Sequence, residues 1–387
     1  MSSTMTENRL TEDDLRLLAD SARDYAEGAT ALARVRDLRG TAPGYEADAL
    51  SRFAALGWTA VAVPERCGGA ELPVAAAGAV LRALGTRLAA EPLTDLALVP
   101  ASLLSRLPQG APTDALLSDI AQGTAQRALA WSESHAPDPA LAWHTRATRN
   151  ASGFTLQGTK RFVPHARDGW LVTATTPDGL AVLRVDADAD GLQREVDFRV
   201  DGVASDTLVF DGTPATLLAC GDTVPTALAG ALDDGALLAC AEMLGVMATA
   251  LDTTLDYIKT RTQFGQTVAS FQAVQHRMVD LHILHQMAIS SYEAGVQTAM
   301  GNADALERAM AVSQAKARCS DAVLRIAQDA VQYHGAIGFT DECDIGLYLK
   351  RALVLAPAYG NATFHRARFR RLLQAQTTAH EHVPEAA

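Results

Sequence analysis

The sequence predicts a mainly α protein with a small β-domain. An N-terminal helical domain is expected over 1–126, a middle β-barrel or sandwich over 127–225, a C-terminal four-helix bundle over 226–375 and a flexible tail over 376–387. Three observations lead there. Hydrophobic residues make up 48% of the 387 but aromatics only 5%, with Ala and Leu dominant, which favours packed helices for most of the chain. Between about 127 and 215 the texture changes to Thr, Val and alternating patterns. Beyond it, long apolar periodicities return with short connections, as in a bundle.

The first helix should start at Thr11-Glu-Asp-Asp14, where a hydroxyl caps and carboxylates meet the positive end of the helix dipole. Leu15, Leu18, Ala22 and Tyr25 then recur at helical spacing. Leu56-Gly-Trp58 and Pro64-Glu-Arg-Cys-Gly-Gly69 break the pattern as turns. Strands are expected at 153–158, 170–174, 180–185 and 207–210, with Asp211-Gly-Thr-Pro214 as a turn. Four long helices follow, at about 232–260, 269–299, 303–335 and 343–372.

A net charge of −12 argues against nucleic acid as the main partner. No stretch reaches the ~20 uninterrupted apolar residues of a membrane span. Met1-Ser-Ser-Thr-Met-Thr-Glu7 holds no apolar targeting core, and the five scattered cysteines (67, 220, 240, 319 and 343) form no Cys-x-x-Cys pair. Reduced thiols in the cytoplasm are the expectation. His282 and His285 stand i and i+3 on a helix as metal ligands do, but no third ligand is near and an exposed polar face is the better reading, so no metal is expected. There is no Gly-x-Ser-x-Gly, no P-loop and no Gly-x-Gly-x-x-Gly after a strand.

The most informative stretch is Arg261-Thr-Gln-Phe-Gly265 followed by Ser270-Phe-Gln-Ala-Val-Gln-His276, with Gln332-Tyr-His-Gly-Ala-Ile-Gly-Phe339 downstream. Together with the two turns above, Leu84-Gly85 and Glu91-Pro92, these segments resemble the acyl-CoA dehydrogenase family, in its order and at roughly its spacing, over nearly the whole chain. Cys240-Ala-Glu-Met-Leu-Gly245, Leu349-Lys-Arg351 and Tyr359-Gly-Asn361 narrow the resemblance to a branch with pimeloyl-CoA dehydrogenase small subunits and bacterial steroid side-chain acyl-CoA dehydrogenases. The resemblance implies FAD-dependent α,β-dehydrogenation of an acyl-CoA to a 2-enoyl-CoA, with electrons passed to an electron-transferring flavoprotein. It also implies a homo-oligomer or a heteromer with a homologous subunit. The overall negative charge does not exclude an anionic CoA thioester, because a local basic pocket matters more than the sum.

Such a reaction needs a base for the α-proton, a hydride acceptor at the β-carbon and hydrogen bonds to the enolate oxygen. In many family members the base is a Glu in a Tyr-Glu-Gly-Thr segment. The matching stretch here is Ala358-Tyr-Gly-Asn361, and the base position falls on Tyr359, a poor base with an ordinary pKa near ~10. A second family variant places the Glu near Gly235, which is also empty. Glu242 remains, amid apolar residues and glycine, where desolvation would raise its pKa toward general-base values. It lies seven residues after Gly235, so it points roughly the same way but ~10.5 Å further along the helix. The alternative is that Glu242 pairs with an Arg or a backbone group, as buried Glu usually does.

By resemblance, Arg261 would contact the FAD pyrophosphate with Phe264 and Gln272 nearby, while Gln332, Gly335 and Ala336 would meet the adenosine half. Glycine there lets backbone come close, and Ala336 replaces the family's second glycine. On the isoalloxazine side, Ala130-Trp-Ser-Glu-Ser-His-Ala-Pro-Asp138 stands where the family has a glycine-rich loop. Trp131 and Ser132 are carried over, with Ser132 replacing a Thr hydroxyl. In Lys160-Arg-Phe-Val-Pro-His165, Phe162 is placed to stack on the flavin, and Pro164 lacks the family's hydroxyl. The plainer readings are a helix C-cap for Arg261 and core packing for Phe264, Phe339 and Trp131.

Two rival functions stay open. The chain is either a catalytic dehydrogenase or the non-catalytic half-site partner of an α2β2 heteromer, which the altered Ser134–Asp138 loop, Pro164 and Tyr359 favour. A flavin oxidase or monooxygenase on the same fold has no specific support in the sequence.

Overall fold

The computed structural model describes residues 10–28, 32–89, 92–134, 143–151 and 153–381. The first seven residues, Glu91, His135–Asp138 and the tail beyond 381, all invoked above, lie outside these.

Among the described residues six helices form the N-terminal layer: α1 (Glu12–Gly28), α2 (Ala33–Leu38), α3 (Ala49–Ala55), α4 (Val74–Gly85), α5 (Val99–Arg106) and α6 (Ala111–Gln122). The start of α1 is the expected capping box. Thr11 Oγ1 accepts from the Asp14 N–H at 3.2 Å, and the Asp14 carboxylate accepts from the Thr11 N–H at 2.9 Å. Both expected turns are present, with Gly57 at φ +79° and Gly68 at φ +84°, where a side chain would be strained.

Among the described residues the middle domain has seven strands: β1 (Arg127–Ala130), β2 (Arg146–Asn150), β3 (Gly153–Pro164), β4 (Gly169–Thr176), β5 (Gly179–Asp186), β6 (Leu192–Phe198) and β7 (Ala204–Cys220). β4 pairs with β5, β5 with β7, β7 with β3, β3 with β2, and β2 touches β4 again, so the sheet closes on itself as a barrel. β1 lies parallel to β4, and β6 hangs on β7 alone. The expected turn at Asp211–Pro214 is instead a bulge inside β7. The register with β3 slips opposite Leu156/Gln157, and Gly212 at φ +69° absorbs the extra residue.

The C-terminal domain holds α7 (Thr223–Thr260), a tight hairpin of β8 (Thr262–Gln263) and β9 (Gln266–Thr267), then α8 (Gln272–Met300), α9 (Ala305–His334), α10 (Ile345–Leu355) and α11 (Ala362–Glu381). The single helix expected over 343–372 is two. Pro357, Tyr359 at φ +56° and Gly360 at φ +105° interrupt it. α11 also runs on to Glu381, into the segment expected to be a loose tail. α7 is the central helix, packed by α4, α5, α8, α9 and α10. By length and composition it could cross a membrane, contrary to the expectation from uninterrupted apolar runs, but 89% of its most apolar window is buried inside this molecule.

Small residues let α4 approach α7 closely. A Cβ on Gly245 would sit 2.2 Å from the Arg82 carbonyl oxygen, and one on Gly85 would sit 2.5 Å from the carbonyl of Glu242. The backbone that carries Glu242 is therefore fixed by helix contact before its side chain makes any bond.

Candidate active site

A cavity of about 430 Å³ opens where the barrel meets the two helical domains. Its barrel wall carries Trp131 and Ser132, just past β1, and Phe162 and Pro164 on β3. Phe162 sits at φ +56° in a bulge between Lys160 and Val163, which turns its ring out of the barrel, half exposed at the cavity. The Ser132 hydroxyl donates to the Ser134 carbonyl at 3.3 Å.

The helical wall carries Glu242 on α7, Arg351 on α10, Tyr359 in the break before α11, and Asp95. Asp95 lies in a π-helical turn, Thr94–Leu98, that leads into α5. Glu242 is 2% exposed, as its apolar sequence neighbours suggested, and it pairs with an arginine, the alternative that the sequence left open. Its Oε1 accepts from Arg351 Nε at 2.6 Å, and Arg351 Nη1 reaches Asp201 Oδ2, in the β6–β7 loop, at 2.8 Å. Burial pushes the Asp201 carboxyl up, but Arg199, then Arg351 and hydrogen bonds, outweigh it and hold it below its ordinary value.

Tyr359 donates its phenol to Asp95 Oδ1 at 2.8 Å. Burial first, then the nearby Asp95, push this phenol well above its ordinary value, so it stays protonated and a donor. A Cβ on Gly235 would meet the Tyr359 ring at 2.7 Å. The two positions that the sequence resemblance marks for a base thus face each other here, and neither holds a carboxylate. Asp95 does, from a third element. Sequence reasoning missed Asp95 as a site residue, because it meets Tyr359 across 264 positions and no local pattern links them.

Two buried lysines hold the loops on either side. Lys160 Nζ donates to Glu133 Oε1 (2.7 Å), Thr173 Oγ1 (3.0 Å) and the Trp131 carbonyl (3.3 Å), and so fixes the Trp131–Ser132 edge. Lys316 Nζ donates to the carbonyls of Ala356 (2.8 Å), Gly360 (3.0 Å) and Leu355 (3.3 Å), and so fixes the turn that carries Tyr359. Burial lowers each ammonium to about 8. His365 Nε2 lies 3.0 Å from the Tyr359 carbonyl; burial, then Lys316, lower it to about 3, so it is neutral at pH 7.

The remaining sequence candidates gather on a different, exposed face. Arg261 follows the last turn of α7, Phe264 tips the β8–β9 hairpin and Gln272 opens α8. Gln332 is near the end of α9, followed by Gly335 at φ +67° and Ala336. The Tyr257 ring stacks on His334 at 4.4 Å and its hydroxyl donates to the His334 carbonyl at 3.2 Å, which binds the two chain segments together. Phe264 is 93% exposed and Phe339 79%, which overturns core packing for both. His285 is buried rather than on a polar face, and burial, then Arg82, lower its pKa. No cluster of three metal-ligating side chains occurs among the described residues.

The geometry agrees with what comparison finds. Residues 12–105 match the acyl-CoA dehydrogenase N-terminal domain and residues 226–373 the acyl-CoA dehydrogenase C-terminal domain. The acyl-CoA dehydrogenase IpdE2 of Mycobacterium tuberculosis is 29% identical over 77% of this chain and 77% of its own; that of Mycolicibacterium smegmatis is 40% identical over 32% of this chain and 37% of its own. Among solved structures, a variant of the Tcur3481-Tcur3483 steroid ACAD is 27% identical, with a TM-score of 0.85 over 95% of this chain and 99% of that one. A glutaryl-CoA dehydrogenase from Mycobacterium smegmatis, solved with FADH2, shares the fold at 18% identity, with a TM-score of 0.81 over 96% and 97%. The two solved structures share helices, barrel and bundle over 95% and 96% of this chain, and the chain belongs to the acyl-CoA dehydrogenase family.

Proposed function

We propose that this protein catalyses FAD-dependent α,β-dehydrogenation of an acyl-CoA thioester to a 2-enoyl-CoA, with an electron-transferring flavoprotein as acceptor. The observation that carries the reading is the cavity itself. Aromatic surface at half-buried Trp131 and exposed Phe162 faces a wall with two carboxylates, Glu242 and Asp95, across a space suited to a thioester.

The residues fit a flavin. Phe162 offers a ring and Ser132 a hydroxyl on the barrel wall, while a Cβ added to Gly335 would meet no atom within 4 Å, leaving room for close backbone approach. Arg261, Phe264, Gln272, Gln332 and Ala336 would hold the pyrophosphate and adenosine half. They lie away from the cavity lining, which supports one flavin shared between two chains. Hydride acceptance at the β-carbon is what the flavin supplies when bound. The chain's own residues seat the thioester against the barrel wall, exclude water, and take the α-proton on a cavity carboxylate. Glu242 is the carboxylate the sequence puts forward. Five free thiols suit a reducing cytoplasm.

The half-site reading has its own support: Tyr359 and Gly235 occupy both family base positions, and the exposed Phe264–Phe339 face asks for a partner. Purification alone and with a homologous chain separates the two. Flavin absorption near one FAD per chain, bleached by acyl-CoA, is expected of the catalytic reading. A colourless protein that turns yellow only with a second chain supports the half-site. No flavin and no bleaching in either preparation refutes both.

A further inference from the structure

We propose that Asp95, rather than Glu242, accepts the α-proton, with Tyr359 as the residue that positions it. The inference rests on the dehydrogenase reading and names its base.

Four observations point to Asp95. Glu242 is nearly enclosed, and its Oε1 is bonded to a guanidinium at 2.6 Å, so its charge is already matched and its accepting edge is in use. Asp95 keeps 29% of its side chain exposed and lines the cavity and a smaller adjoining pocket. Its hydrogen-bond donor is neutral, the Tyr359 phenol at 2.8 Å. Its nearest cation, Arg199, stands 3.7 Å from Oδ2 and lies nearer to Asp201, at 3.5 Å. Asp95 is thus the cavity carboxylate with the less compensated charge and the freer oxygen.

Position agrees with charge. Tyr359 and Gly235 mark the place where the sequence resemblance puts a base, and they pack ring against backbone. The Tyr359 hydroxyl aims from that place at Asp95. A carboxylate delivered from the π-helical turn before α5 can therefore serve the site that the other two elements leave vacant. In the step, the substrate Cα–H bond breaks, its proton passes to Asp95 Oδ2, and its electron pair forms the Cα=Cβ bond while the Cβ–H pair departs as hydride, which a bound flavin would accept. Oδ1 meanwhile remains bonded to the phenol, which fixes the rotamer and leaves Oδ2, 3.7 Å from Arg199, to accept the proton.

The test separates proton removal from redox turnover. The flavin-loaded assembly is incubated in D2O with octanoyl-CoA and with 3-cyclohexylpropanoyl-CoA, and deuterium at Cα is read by mass spectrometry. Asp95→Asn keeps an oxygen for the Tyr359 hydroxyl, so the fold is retained. It is expected to lower exchange by about 100-fold or more, the scale of a lost general base, with thioester affinity by calorimetry within about threefold. Asp95→Ala should be partly rescued by added formate, which a structural defect would not be. Tyr359→Phe should lower kcat several-fold with KM unchanged; an unchanged kcat removes its positioning role. Exchange lost in Glu242→Gln but kept in Asp95→Asn overturns the assignment and leaves the dehydrogenase reading standing. Neither exchange nor flavin reduction with either thioester in the unsubstituted protein overturns both.

Discussion

Replacing Arg351 with Met should cost this protein about 3–5 kcal/mol, the scale of an uncompensated buried charge. Arg351 is 8% exposed and lies between Glu242, at 2%, and Asp201, at 7%, with contacts of 2.6 and 2.8 Å. Without the guanidinium, Asp201 keeps Arg199 at 3.5 Å, but Glu242 loses the partner at its Oε1. The penalty therefore falls mainly on Glu242. Glu242→Gln alone should cost only about 1–2 kcal/mol, since the amide can still bond and Arg351 keeps Asp201. The double variant should then be more stable than Arg351→Met alone by about 2 kcal/mol, because no charge is left stranded at α7. Urea unfolding at pH 7, followed by circular dichroism in all three variants, measures each term. The reasoning fails if Arg351→Met costs less than about 1 kcal/mol, or if the double variant is no more stable than that single change. A second reading comes from acid. Because Asp201 is held below its ordinary value, it stabilises the protein above pH 3.8, and this stability is lost as pH falls through its lowered folded value. Arg351→Met should shrink that loss.

Alkaline pH probes Lys316. Its folded pKa of about 8 lies below the ordinary 10.5, so between these values the unfolded chain binds more protons and stability rises with pH, by up to about 3 kcal/mol. Lys160 contributes a similar rise, so Lys316→Met should lose only part of the slope in urea titrations at pH 8 to 10, and an unchanged slope would contradict it. Gly245→Ala, whose Cβ would lie 2.2 Å from a carbonyl on α4, should cost about 1–3 kcal/mol by chemical unfolding, whereas the open Gly212, in its bulge, should lose less. Phe264→Ser with Phe339→Ser should leave unfolding of the isolated chain unchanged, since both are exposed, but lower flavin content and oligomer mass by light scattering.

How much of this was legible follows from where each signal sits. The cap at Thr11 is local, four residues long, and was readable. Strand β6, Leu192-Gln-Arg-Glu-Val-Asp-Phe198, is mostly exposed and hangs on the barrel's edge, and Arg194 interrupts the short alternation of Leu192, Val196 and Phe198, so its signal is weak. The break between α10 and α11 was signalled by Pro357 and Gly360, but strong apolar periodicity on both sides masked it. Trp131, Ser132, Phe162 and Glu242 were named from sequence, and the structure brings all four to one cavity. Asp95, Arg199 and Asp201 were not, because each matters only through partners on other elements.

The basic residues divide unevenly: only four of the 33 are lysine, at 160, 259, 316 and 350. Two of those four are fully enclosed and pin opposite walls of the cavity. Arginine could not replace them there without forcing a larger planar group into the same space. An amine-selective reagent therefore meets two accessible lysine side chains in the closed molecule and gains a third or fourth only when a wall opens. Mass-spectrometric footprinting would then report breathing of each wall separately, with no probe introduced, and would show which one moves when a ligand enters.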